Sequence, residues 1–309
     1  MLAYTVRRLL WTPVLLVAVS LFVFVLGEYG PGDPVEVALG QNYTEERAER
    51  LREQRGLNDP VPVRYFRYIG NALKGDFGDS FVFRGRSVAG LLGPKLWVSA
   101  RLFFAGFAIS VGIGVPLGFF AATRQGTWVD PTIVAITLVL LAMPVFIFAP
   151  ALILLFALNL SWLPVSGWGG FWDTRIILPA VTIGMPGIAV MTRMMRASTF
   201  DVLGQDYVRT ARAKGLGEFT VRRRHVARNA LIPVLTILGF SIAGMLGGAL
   251  IVELIYGIPG VARFALDSIF SRDFPVITAL ALIGATALVV ANLVVDILYA
   301  VVDPRITYR

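Results

Sequence analysis

The side chains able to do chemistry in this 309-residue chain are few, and their spacing excludes most reactions. One histidine, His225, and no cysteine leave no multi-histidine cluster, thiolate metal site or disulfide. No G-x-x-x-x-G-K-[ST] phosphate loop occurs, so the chain has no visible means of holding ATP, and neither H-E-x-x-H nor G-x-S-x-G is found. Polar groups inside apolar stretches are costly and so are the next candidates. Arg101 and Glu253 sit near the ends of such stretches, and Asn292 and Asp296 share one helix face at i,i+4 spacing. An interhelical hydrogen bond is the favoured reading of that pair. A transporter driven by protons or sodium needs carboxylates near the bilayer midplane, and no such set is apparent. The densest chemistry lies in 193–229, which holds nine Arg or Lys against Asp201, Asp206 and Glu218, a net of +6 out of +8 for the whole chain.

The elements that carry these residues follow from composition. The chain is 56% apolar and 16% charged, with mean hydropathy +0.72. Soluble domains are about 45–50% apolar and about 25% charged, so lipid is the natural solvent here. Six stretches have the length and apolarity of membrane-crossing helices: about Leu9–Leu26, Leu96–Ala122, Ile133–Leu158, Ile176–Met191, Ala230–Ile255 and Val276–Val302. None alternates with the period of a barrel strand. Arg7 and Arg8 precede the first stretch as in a signal peptide, but no small-residue cleavage site follows, and it reads as a retained helix. By the positive-inside rule Arg7 and Arg8 place the N-terminus in the cytoplasm. Six spans then put 123–131, 193–229 and 303–309 there too. The segment 28–95, with ten acidic and ten basic residues, falls outside. The basic excess is thus a topology signal rather than a nucleic-acid footprint.

Within the outer segment, Thr44–Arg55 predicts a short helix with Thr44 as its N-cap, and Val63–Leu73 a second one offering Tyr65, Phe66, Tyr68 and Ile69 to the membrane surface. The apolar stretches are rich in Pro and Gly, among them Pro116, Pro144, Pro150, Pro179, Pro186, Gly184, Gly187, Gly239, Gly244, Gly247 and Gly248. Such residues permit kinks and close helix packing. The predicted division is 1–28 for the N-terminal end and first span, 29–95 for the outer segment, and 96–309 for a core with five spans and a cytoplasmic loop at 197–230.

That loop reads as a knob. Asp206 to Lys214 is good helix sequence, Gly215 fits a helix C-terminus, and a second helix leads into the fifth stretch. The small Ala211 and Ala213 suit the close approach of a partner, and the surrounding Arg and Lys suit its acidic groups. An amphipathic helix resting on anionic lipid fits the spacing equally well.

The stretch 206–233 resembles the EAA loop of binding-protein-dependent ABC importer permeases. More specifically, DYVRTARAKGL followed by RHVARNALIPV is similar to the dipeptide/oligopeptide/nickel group. Further matches follow in order: Arg7–Leu10, Pro31–Pro34, Tyr65–Phe81, Gly114–Gly118, Gly257–Gly260 and Asp303–Arg305. The long segment after the first span is similar to that of the B-type subunit. The resemblance implies an all-α membrane protein with the type I ABC importer permease fold, six transmembrane helices and both termini cytoplasmic. It implies a loop that docks on an ATPase through Asp206, Tyr207, Arg209, Thr210, Ala211, Arg212, Ala213, Lys214, Gly215, Leu216, Arg224 and His225. Arg209, Thr210 and Ala211 occupy the Glu-Ala-Ala positions, with Arg209 and Arg228 departing from the general motif as in the peptide group. The implied partners are a second homologous permease, two ABC ATPase subunits or domains, an extracytoplasmic substrate-binding protein and membrane lipid, with no nucleic acid. No cofactor is expected in this chain, and ATP and Mg would be bound by the partner ATPases. The expectation is therefore an inner-membrane permease, not an enzyme, for dipeptides or oligopeptides. Nickel, glutathione and an ion-coupled secondary transporter are the alternatives.

Overall fold

The computed structural model describes residues 2–29, 34–243 and 249–302. Among them there is no strand, only an isolated antiparallel bridge between Asp79 and Ser87. In chain order the helices are α1 (Leu2–Glu28), α2 (Pro34–Leu39), α3 (Glu45–Gln54), α4 (Val61–Ala72), α5 (Val88–Thr123), α6 (Val129–Ala142), α7 (Val145–Leu152), α8 (Ile177–Leu203), α9 (Asp206–Ala213), α10 (Glu218–Thr220), α11 (Arg228–Ala243), α12 (Leu250–Ile255), α13 (Val261–Phe270) and α14 (Phe274–Val302). Two segments are wound more widely than an α-helix, Ile153–Asn159 after α7 and Val221–Ala227 between α10 and α11. Four described helices are long and apolar enough to cross a membrane, or five if the bent pair at 129–159 counts as one.

Two of the six expected spans need correction, and part of a third lies outside the described residues. Ile133–Leu158 is not one rod: α6 and the 145–159 helix bend by 104° at Met143-Pro144. Proline lacks the amide that would continue the ladder and forces the preceding residue out of the helical region, and Met143 is extended (ψ 118°). The fourth span does not stop at Met191. Helix α8 continues for three more turns to Leu203, carrying Arg193 and Arg196 on a rod instead of in a loop. The fifth appears as α11 and α12, with 244–248, and so Gly244, Gly247 and Gly248, outside the described residues. The surroundings of Gly239, the side chain of Asp296, and the motifs at 31–33 and 303–305 likewise lie outside them.

Contacts divide the chain into two units. The first comprises 1–97 and 259–294. In it α4 lies on α1: Tyr65 is buried, its hydroxyl 2.8 Å from Ser20 Oγ, its ring edge-on to Phe24 at 5.5 Å. Arg64 pairs with Glu28 through both terminal guanidinium nitrogens, Nη2 at 2.6 Å from Oε2. Of the four residues expected on the membrane surface only Phe66 is exposed; Tyr68 and Ile69 are half-buried. Among the described residues no hydrogen-bond partner reaches the Tyr68 hydroxyl, and burial pushes its pKa up to about 12. Helix α3 starts as expected, with Thr44 Oγ1 accepting from Arg47 N.

The second unit spans 98–258 and 295–306. Its organising feature is the contact of α5 with α8. Gly106, Ser110, Gly114 and Gly118 recur every four residues and so line one face of α5. A Cβ on Gly114 would stand 2.8 Å from the Ile188 carbonyl, and one on Gly106 2.7 Å from Ile183. Ser110 Oγ donates to Gly184 O at 2.8 Å and Thr192 Oγ1 to Gly114 O at 3.2 Å. Small residues let backbones touch where lipid offers no hydrophobic drive, and hydroxyls add directional bonds. Tyr256, fully buried, joins α7 and α8 by bonds to Ala149 O (3.3 Å) and Thr182 Oγ1 (2.9 Å).

Candidate functional site

Helix α9 is short and exposed, so its hold on the protein must be tertiary. Val208 and Ala211, three apart, face inward and meet Val221 and Val226 in a four-residue aliphatic centre, with Phe119, Val202 and Leu203 packed around it. The helix ends at Ala213, with Lys214 as its C-cap. Gly215 takes φ +77°, where a side chain would be strained, and donates to Arg212 O at 2.9 Å, while Leu216 N reaches back to Ala211 O. This is the glycine stop the sequence predicted. Ala211, expected to let a partner approach, is only 5% exposed and packs on the 221–227 segment. Ala213 is exposed.

The charged residues divide into tied and free. Arg212 Nε donates to Glu218 Oε1 at 2.7 Å and Arg222 Nε to Glu218 Oε2 at 3.3 Å, clamping the turn after Gly215. The bond from Arg212 holds the Glu218 carboxyl below its ordinary pKa. Asn229 donates to the Tyr207 hydroxyl at 3.0 Å and to His225 O at 2.8 Å, tying α9 to the start of α11. Arg209, its side chain 73% exposed, makes only a loose 3.6 Å pair with the exposed Asp206, and Thr210 Oγ1 is turned back to Asp206 O. Lys214 and Leu216 are exposed. Arg224 and the half-buried His225 stand apart from α9's outer face, where with Arg223, Arg228 and Asn229 they line an open basic cleft of about 890 Å³.

Phe219 was missed in the sequence reading. It stands 76% exposed, and Leu216 and Tyr207 are also exposed, so the knob offers apolar area as well as cations. A lone aromatic in a charged turn was the available signal. Also missed was the pair between Asp130, at the start of α6, and Arg196 on α8, with Nε–Oδ1 2.5 Å and Nη2–Oδ2 2.7 Å. Asp130 is only 6% exposed, and this two-pronged bond anchors the extension of α8 that carries the knob. Glu253 is wholly buried and accepts from Ser99 Oγ at 2.6 Å, whereas Asn292 is exposed. Among the described residues no group of three or more His, Cys, Asp or Glu could hold a metal. The knob is closed by an aliphatic centre and carries cationic and aromatic side chains on its outside.

The model of the family described as binding-protein-dependent transport system inner membrane component matches residues 114–308, and that of its N-terminal region matches 1–93. The chain belongs to this family. It is a multi-pass membrane permease subunit of the ABC importer type and not an enzyme. It is 39% identical to the oligopeptide transport system permease protein AppB of Bacillus subtilis, over all of both chains. It is 38% identical to the probable peptide ABC transporter permease protein y4tP of Sinorhizobium fredii, over 99% of each. It is also 38% identical to the glutathione transport system permease protein GsiC of Escherichia coli, over all of both. Among solved structures, an inward-facing form of the MetNI methionine ABC transporter matches 69% of this chain and 96% of its own, with TM-score 0.52 at 15% identity. The two therefore share a fold.

Proposed function

We propose that this permease forms one half of the translocation pathway of a peptide importer and receives its mechanical input through the knob at 206–229. The observation that carries this reading is the outer surface of α9 and of the turn that leads into α10, where Arg209, Lys214, Leu216 and Phe219 are exposed on a scaffold closed by its own aliphatic centre. A chain with no phosphate loop and no apparent set of midplane coupling carboxylates lacks the two usual means of energising uphill transport by itself, which favours work delivered through a protein contact. ATP and Mg belong to partner ATPases, and a second permease and an extracytoplasmic binding protein complete the assembly. The six-span topology with both termini in the cytoplasm, and the division at 28, 95 and 197–230, are part of this reading. Relatives named for oligopeptide and for glutathione support a peptide ligand, from dipeptide to oligopeptide, with glutathione itself a tripeptide.

The test is uptake of labelled di- and tripeptides in cells carrying Arg209→Glu with Lys214→Glu. The expected outcome is at least a tenfold loss of uptake, with unchanged amounts of the chain in the membrane and loss of the ATPase from affinity-purified complexes. Uptake at the wild-type rate would remove the knob from the coupling path. Recovery of the native chain without any P-loop ATPase, together with uptake dependent on an ion gradient, would replace the importer reading with a secondary transporter.

A further inference from the structure

A second charged feature lies far from the knob in sequence, at the turn between α13 and α14. Arg272 adopts φ +56°, a backbone region in which only glycine is at ease, and places an exposed guanidinium there. Its neighbour Asp273 could neutralise it but does not. The Asp273 carboxylate is completely buried and takes hydrogen bonds from Ser80 Oγ and, at 3.1 Å, from Phe81 N. Among the described residues Arg272 makes no ion pair. It stands at the rim of a cleft of about 400 Å³ between α1 and α14, whose walls include Val23, Leu26, Ile277 and Ala281, with no acidic residue in the lining. Gly27 gives the cleft its floor, since a Cβ there would stand 2.5 Å from Thr278 Oγ1. Ile269 and Phe270, just before the turn, are 54% and 79% exposed.

We infer that this cleft is a binding site for an anionic phospholipid, with the phosphate at Arg272 and an acyl chain along Val23, Leu26, Ile277 and Ala281. Both walls belong to helices apolar and long enough to cross a bilayer, so the cleft opens to hydrocarbon along its length and to headgroups at its rim. An unpaired cation above an apolar slot matches a lipid anion at both ends, charge to charge and chain to chain. Exposed Ile269 and Phe270 beside the cation hold the turn at the level of the headgroups, where such side chains lose water to lipid. A soluble anion would leave the slot unfilled. A second apolar protein would leave the guanidinium unpaired.

The test uses the purified transporter complex in detergent, titrated with phosphatidylglycerol and read by native mass spectrometry for retained lipid and by thermal melting. The variants are Arg272→Gln, which removes the charge, and Ala281→Phe, which fills the slot. The wild type is expected to retain phosphatidylglycerol over phosphatidylcholine, and one basic group near an anionic headgroup corresponds to about fivefold weaker retention in Arg272→Gln. Ala281→Phe should lower retention of both lipids. Equal retention by wild type and Arg272→Gln, or displacement of the lipid by inorganic phosphate alone, would overturn the assignment. So would loss of the second permease from the Ala281→Phe complex with lipid retention unchanged, because the slot would then belong to a protein neighbour.

Discussion

The knob at 206–229 and the turn at 268–278 both cluster charge at the end of a long apolar helix, and they organise it in opposite ways. In the knob the interior is aliphatic and the carboxylate, Glu218, is exposed and shared by two arginines. In the turn the carboxylate, Asp273, is the interior, satisfied by a hydroxyl and an amide, and the arginine is left outside. Exposed ion pairs contribute about 0–1 kcal/mol, whereas a buried polar group that loses its partner costs about 1–3 kcal/mol, more when charged. Surface charge in the knob can therefore be exchanged at little cost to folding and is available for recognition. Charge in the turn is part of the structure, and only Arg272 is available there for anything else.

The contrast can be broken most severely at Asp273. Asp273→Ala should strand Ser80 Oγ and the Phe81 amide in a buried space and destabilise the first unit by about 3 kcal/mol, read as a lower melting temperature of the detergent-solubilised complex. Asp273→Asn, which keeps an acceptor, should recover part of that loss. A middle-sized effect belongs to the knob interior. Ala211→Leu inserts three carbons between α9 and the 221–227 segment, an overpacking that costs about 1–3 kcal/mol. The knob should then lose its shape and the ATPase its hold, with purified complexes depleted of ATPase while Ala213→Leu, on the exposed face, leaves the knob folded. The smallest effect is that of the exposed carboxylate. Glu218 has a folded pKa below its ordinary value of 4.5, so its contribution is fully present above that pH and is lost as pH falls through the lower folded value. Because Glu218 is exposed, the difference between wild type and Glu218→Gln should stay under about 1 kcal/mol at pH 7 and vanish in acid, measured as the gap between two pH–melting curves.

Much of this was legible before any coordinates. The glycine stop at Gly215, the Thr44 cap and the apolar stretches are local: each depends on a few neighbouring residues and on the backbone preferences those residues impose. The candidate site was legible in outline for the same reason, since DYVRTARAKGL is contiguous. What could not be read was direction. Ala211 and Ala213 look equivalent in a list, yet one faces a four-residue centre and the other solvent, because the segment at 221–227 covers only one side of α9.

The sequence by itself determined the solvent of this protein, the approximate places of its long apolar helices, and the cluster of cations at 193–229. These follow from composition, from runs of about 20 apolar residues and from the clustering of cations. Tertiary structure alone decided that Pro144 breaks a span by 104° when Pro186 does not break α8, and that Asp130 reaches Arg196 across 66 positions. It alone decided that Asp273 turns inward while Arg272 stays out. A pairing across such separations depends on where two helices meet, as at the contact of α5 with α8, where small residues such as Gly106, Gly114 and Gly118 allow the close approach.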